Sequence, residues 1–264
     1  MRETEVSSVG GLLEATAEFE AALGRPTWYR GHYGSTWKLI PGAFREPVNR
    51  GEPGYERIVS QVFQLRAGAR RERCPNRSDY GSWLYLMQHY RLPTRLLDWS
   101  ESPMVAAFFA LWNDADPRRV ESDDAVVYVL APRLLNERQA GLAMIVLLGD
   151  EEAEGLVPHW LLPPSRAAAE MPTRSGEGPS ALAIMPEQID PRIVAQQGTF
   201  TIHAPGVALE DLEGSGDFLA RIVIPASARE AMRRDLLRMG VRPMNLFPDL
   251  DHLSLDLKNF EHVI

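Results

Sequence analysis

Residues 88–112 constrain the fold more than any other part of the chain. Gln88-His89-Tyr90-Arg91-Leu92-Pro93 ends in a helix breaker, Thr94 to Trp99 reads as a short buried strand, and Ser102-Pro103 signals the start of a helix running to Trp112. That helix carries Val105, Phe108, Phe109 and Trp112 on one side and Ala106, Ala107 and Ala110 elsewhere. Its small face is expected to lie close against another element. Hydroxyls, a carboxylate, a histidine and arginines sit between the apolar runs, and polar groups at the edge of a core are costly unless paired. Their concentration points to a pocket as much as to a fold.

The remaining signals alternate between helix and strand. Leu12 to Leu23 is amphipathic and stops at Gly24 with Pro26 beyond, predicting an N-terminal helix over residues 11–23. Thr27 to His32 reads as a strand and Trp37 to Ile40 as a second extended piece. Tyr55 to Arg70 has helical periodicity through Ile58, Val59, Val62, Phe63 and Leu65. Ser78 and Asp79 can cap a helix through Tyr90 whose Trp83, Leu86, Met87 and Tyr90 share one face, with Gln88 and His89 off it. Ala125 to Ala131 is a continuous β-branched strand, and residues 141–180, rich in Pro, Gly, Ala and Glu, read as a variable excursion. Ile193-Val194-Ala195 and Thr199 to His203 suggest strands interrupted at Gly198, and Phe218 to Ile224 suggests another. Ser227-Ala228-Arg229-Glu230 has the form of a capping box opening a helix to Met239, stopped by Gly240, and Pro248 lies near the first turn of a final helix. No internal repeat is visible. Five or six strands interleaved with helices indicate one mixed α and β domain over residues 1–264.

Composition removes several function classes. With 45% hydrophobic residues the chain has ample material for a core, and its net charge of −8 argues against non-specific nucleic-acid binding. Lys38 and Lys258 are the only lysines, so positive charge is almost all guanidinium, suited to forked phosphate or carboxylate contacts and unsuited to Schiff-base chemistry. The longest apolar run, Ala140 to Leu148, is far short of the roughly 20 residues that span a bilayer. With no apolar signal segment at Met1 to Glu5, the expectation is a cytoplasmic protein with no membrane partner. Cys74 stands alone, which excludes an internal disulfide and a cysteine metal site. There is no Gly-x-Ser-x-Gly elbow, Walker loop, Gly-x-Gly-x-x-Gly or helical histidine pair. Pro248-Asp249 with Asp256-Leu257-Lys258 superficially resembles a metal nuclease motif, but its acids are one short helix apart, so no metal is expected. Arg66, Arg70, Arg71, Arg73 and Arg77 form a basic cluster read first as a solvated helix end.

Longer blocks carry a family resemblance. Trp28-Tyr29-Arg30-Gly31-His32 with Trp37-Lys38-Leu39-Ile40-Pro41 and Arg45, followed by Leu86 to Ser100, resembles the FRG domain, named for a Phe-Arg-Gly motif in which Tyr29 here replaces Phe. Arg192 to Phe200 and Gly240 to Asp251 continue the resemblance in order, giving a core of about residues 28–257. A more distant similarity is to ADP-ribosyltransferases of the Arg-Ser-Glu type. Tyr29-Arg30-Gly31 resembles their first motif, Asp98-Trp99-Ser100 with the helix from Pro103 through Ala106 to Phe109-Ala110 their second, and Gln196-Gln197-Gly198-Thr199-Phe200 their third, without its usual carboxylate.

These resemblances imply an α+β fold, a mainly antiparallel β core flanked by helices, of ADP-ribosyltransferase-like form. They imply NAD as substrate and transfer or hydrolysis of ADP-ribose, with an unknown protein or nucleic-acid acceptor, in a bacterial toxin or antiviral defence effector. Arg30, Ser100, Gln197 and Asp98 are then the expected catalytic residues. Arg30 would grip phosphate or ribose oxygens, Ser100 would orient the nicotinamide ribose, Gln197 would supply a hydrogen bond without charge, and Asp98 or Asp249 would supply the carboxylate that meets the charged transition state. Tyr29 or Phe200 would stack on nicotinamide, and Gly31, His89, Thr94 and Arg95 complete the cofactor-binding set. Plainer roles stand beside these. Arg30 can pair structurally with Asp98, Ser100 can be a turn residue, and His89 can answer a helix dipole. Gln196 and Gln197 can satisfy backbone at a bulge, and Asp249 and Asp251 are favourable in a helix first turn anyway. The alternative function is a non-catalytic module that senses a nucleotide or binds protein or nucleic acid.

Overall fold

Eight strands form a sheet in the order β1-β8-β4-β2-β3-β7-β6-β5. The computed structural model describes residues 1–45, 54–77, 79–112, 120, 122–148, 153, 156–157, 179–186 and 190–258. Ser78 and most of the 141–180 excursion lie outside the described residues. The strands are β1 (Arg2–Glu5), β2 (Trp28–His32), β3 (Leu96–Ser100), β4 (Ala125–Leu130), β5 (Val146–Leu147), β6 (Ala181–Met185), β7 (Gly198–His203) and β8 (Leu219–Ile224). The six inner strands pair antiparallel, while β1 on β8 and β5 on β6 are parallel edges. The protein is thus a mixed α and β structure with a mainly antiparallel sheet flanked by helices. Among the described residues, no helix is long and apolar enough to cross a membrane.

The central strand β4 is buried at all six positions, which is why Ala125 to Leu130 reads as an unbroken apolar run rather than an alternating one. Tyr29, Val127, Val129 and Ile222 face α1 (Val9–Leu23), α4 (Pro103–Leu111) and a helix at Arg229–Arg238, forming one core cluster. On the same face of the other half of the sheet, Leu96, Ile202 and Phe200 pack with α3 (Tyr80–His89). Trp28, Tyr128, Leu97 and Trp99 occupy the opposite face with Leu135 of α5 (Pro132–Ala140).

Local signals set several of these elements. Ser102 accepts from the Val105 N–H and Pro103 opens α4, as the sequence predicts. Its small face meets Gly31, where an added Cβ would lie 1.9 Å from the Ala106 carbonyl oxygen and 2.5 Å from the Ala110 nitrogen. Only a residue without a side chain permits this helix-on-strand distance. Ser8 caps α1, which begins before the expected boundary.

Other expectations are corrected. Ile193-Val194-Ala195 belongs to a short helix, Pro191–Ala195, because Asp190 accepts from the Arg192 N–H and Pro191 takes the first turn. The Ser227 capping box does not form: Ala226–Ala228 is a 3-10 turn, and no side chain caps the helix that follows. Helix α3 is buried on several sides rather than one, while Tyr90 beyond it is exposed. Trp37 to Ile40 joins no strand, and the helix Tyr55–Ala67 (α2) leaves Ile58, Val62 and Leu65 exposed. The remaining helices with both ends among the described residues, numbered in chain order, are α6 (Pro191–Ala195), α7 (Arg229–Arg238), α8 (Pro243–Leu246) and α9 (Leu250–Lys258).

Candidate functional site

Where the two helix groups part, the face of β3 and β7 is left open. Asp98 pairs with Phe200 and Ser100 with Gly198, so these residues share that face. A cleft rises above them between Tyr85, Gln88 and His89 of α3 and Arg192, Ile193 and Gln196 at α6. It is partly open to solvent, with room for roughly three waters, about 40 Å³, in its inner part. The rings of Tyr85 and Phe200 form its aromatic side, 5.3 Å apart and tilted.

Asp98 is the carboxylate of the cleft, and its side chain is 57% exposed. Gln88 Nε2 donates to Asp98 Oδ2 at 2.9 Å, the Thr94 hydroxyl donates to Gln88 Oε1 at 2.6 Å, and the Leu96 N–H donates to Thr94 Oγ1. This relay fixes the amide so that its N–H faces the acid. Behind Asp98, β2 and β3 share one paired position, Tyr29 with Ser100. Past it, Arg30 Nη1 donates to the Asp98 carbonyl and lies 3.6 Å from the carboxylate. Arg30 Nε donates to His32 Nε2 at 2.9 Å, which leaves His32 Nδ1–H to donate to the Trp37 carbonyl. Burial, then the Arg30 charge, pushes the His32 pKa well below its usual value, in keeping with a neutral ring. Burial also brings Arg30 down to about 10, against the pull of Asp98, so it stays charged at neutral pH.

The other expected residues divide sharply. Phe200 and His89 line the cleft, and His89 Nδ1 lies 3.2 Å from Asp190 Oδ1, though burial lowers the histidine's pKa. Ser100 is buried, donating to the Gln196 carbonyl at 2.7 Å and accepting from the Ser102 N–H, which braces the turn. Gln197 is exposed at φ 46 and does not line the cleft; its neighbour Gln196 does, with Nε2 on the Leu246 carbonyl.

Four assignments are corrected by position. Tyr29 is buried in the core, its hydroxyl donating to Glu20, so no ring face is open for stacking. Burial, with the nearby Glu20 carboxylate, holds that phenol well above its usual pKa. Gly31 makes room for α4 rather than for a ligand. Arg95 is buried with its fork on Glu56, at 2.8 and 2.5 Å, and Nη1 on the Leu156 carbonyl. Thr94 is buried and acts through Gln88.

Sequence reasoning missed Arg192, Gln88 and Tyr85 as cleft residues and left Gln196 open beside Gln197, of which the structure brings Gln196 to the cleft. The signal for Gln88 and Arg192 was their presence in the two family-like blocks; Tyr85 carried none. Asp249 does what its helix position favours, accepting from the His252 N–H at 2.8 Å. Among the described residues, no group of three His, Cys, Asp or Glu side chains is placed to hold a metal ion.

The fold and cleft define a mixed α and β protein whose polar site lies on an antiparallel sheet between two helix groups. The chain contains an FRG domain, whose family model matches residues 25–119. That segment supplies Arg30, Gln88, His89 and Asp98, while Arg192 and Phe200 lie beyond it. No curated protein and no solved structure matches the chain.

Proposed function

We propose that the chain is an ADP-ribosyltransferase-like protein that binds NAD at the cleft and transfers or hydrolyses its ADP-ribose. The observation that carries this is Asp98, an accessible carboxylate held by Gln88 and Arg30 beside the Phe200 ring. In the reaction the C1′–N bond breaks with its electron pair leaving on nicotinamide. Positive charge develops on the ribose, and an acceptor or water oxygen bonds to C1′ and gives up its proton. A fixed anion beside that carbon stabilises the charge as it forms. Asp98 supplies the carboxylate that the third motif lacks, and Arg30 acts through it as a positioning residue. A role as a toxin or antiviral defence effector, with a protein or nucleic-acid acceptor, belongs to the same proposal.

A second reading, a nucleotide sensor or a protein- or nucleic-acid-binding module, is favoured by Ser100. Its hydroxyl both donates to and accepts from backbone, which leaves it little to offer a ribose. Incubation with labelled NAD, with and without nucleic acid and cell extract, separates the two. Nicotinamide release by the wild type that Arg30→Ala abolishes supports transfer. No release under any condition leaves the binding module, and activity untouched by Arg30→Ala overturns the placement of the site.

A further inference from the structure

Three arginines approach β3, and two are committed to the fold. Arg30 has acceptors at Nε and Nη1, and Arg95 closes its fork on Glu56 with Nη1 on a carbonyl. Arg192 differs. Its guanidinium lines the cleft, lies 4.8 Å over the Phe247 ring, and gives Nη1 to the His89 carbonyl at 3.3 Å. Among the described residues no carboxylate lies within 4.0 Å of it and no other side-chain acceptor engages it, so four of its five N–H donors remain for something else.

We propose that Arg192 is the anion-holding residue of the cleft and takes a phosphate of a nucleotide diphosphate. The assignment rests on the nucleotide reading above. Stacking on Phe247 fixes the plane of the guanidinium in advance, which lowers the entropy lost when a phosphate docks on its fork. Arg91 adds positive charge near it, while the Asp98, Asp190 and Asp249 carboxylates repel an anion, so a phosphate has to be held by the open guanidinium fork itself. The cleft is therefore polar along its length. A diphosphate is drawn to Arg192, and a carbon that becomes cationic is drawn to Asp98. Burial disfavours the charged guanidinium, and the Asp98 carboxylate offsets part of that cost.

The test is calorimetric binding of inorganic pyrophosphate, ADP-ribose and phosphate-free nicotinamide riboside to wild type, Arg192→Gln and Arg192→Lys. Arg192→Gln is expected to weaken pyrophosphate and ADP-ribose by about tenfold or more, leaving nicotinamide riboside within about twofold. Arg192→Lys, which keeps the charge without the fork, is expected to fall between, and it decides the matter if Arg192→Gln does not fold. Wild-type failure to bind either phosphate ligand overturns the proposal, as does unchanged pyrophosphate affinity in the variants or an equal loss for nicotinamide riboside. Pyrophosphate binding through Arg192 without NAD cleavage would sink the transfer reading alone. NAD cleavage undiminished in Arg192→Gln would sink this one alone.

Discussion

Arg30 and Asp98, 68 residues apart in the chain, meet where β2 and β3 stop pairing: Nη1 donates to the Asp98 carbonyl and lies 3.6 Å from the carboxylate. One guanidinium closes a gap in the sheet and sets the position of the acid in the cleft.

Removing it should cost stability as well as position. Arg30→Ala leaves His32 Nε2 and the Asp98 carbonyl without their donor, an expected loss of about 1–3 kcal/mol in urea unfolding. Arg30→Lys, with a point charge instead of a fork, should recover part of it. Equal stability of Arg30→Ala and wild type would show that the sheet does not depend on this contact.

Gly31 should be the least tolerant position of β2. In Gly31→Ala the new methyl meets backbone atoms of α4 at 1.9 and 2.5 Å, neither of which can swing away. Displacing the helix should cost about 3 kcal/mol, read as a large drop in melting temperature. A variant that melts with the wild type contradicts the packing described.

The Arg95–Glu56 pair ties α2 to β3, with side chains only 9% and 12% exposed. Glu56→Gln should destabilise by about 3–5 kcal/mol, because a buried guanidinium loses its counter-charge. The double substitution Arg95→Met with Glu56→Leu should recover much of that loss. Nicotinamide release, if Arg95 has no ligand role, should survive in the double variant.

Acid should destabilise the fold through its buried histidines. Burial pushes His203 down to about 3, and its Nε2 lies 2.7 Å from the Thr201 hydroxyl. In the unfolded chain this ring takes up a proton near 6.5 and in the folded chain it does not, so its contribution is complete above pH 6.5 and declines as pH falls toward 3. The decline is at most about 1.4 kcal/mol per pH unit for each such group. Urea unfolding of His203→Gln between pH 6.5 and 5 should show a shallower slope than wild type. An unchanged slope would mean that His203 already titrates in the fold.

Elements with local chemistry were legible in the sequence. Ser102-Pro103, Gly24 and Gly240 mark boundaries through capping and positive φ, and the alanines of α4 announced a close neighbour without naming Gly31. The strand β1 was not legible. Arg-Glu-Thr-Glu has no apolar alternation and becomes a strand by adding in parallel to β8. Helix α6 was misread because Ile193 and Val194 are β-branched, while the outcome was set by Asp190 and Pro191 just before them.

The site divides the same way. Arg30, Asp98, His89 and Phe200 stand in blocks whose polar content drew attention, and β3 brings Asp98 and Phe200 together. Whether a given arginine is spent or available depends on partners far along the chain. Glu56 occupies Arg95, while among the described residues the Arg192 guanidinium meets only a carbonyl and a ring. No spacing rule carries that distinction.

The most direct measurement is nicotinamide release from labelled NAD by wild type and Asp98→Asn, with thermal melts of both. Asp98 is more than half exposed, but its charge offsets the burial of Arg30 and Arg192, so the isosteric change should lower the melt modestly while the protein still folds. Release by wild type is expected, with kcat falling by about 100-fold or more in Asp98→Asn and KM little changed, as for a group acting in the transition state. Equal rates from the two proteins would contradict the account.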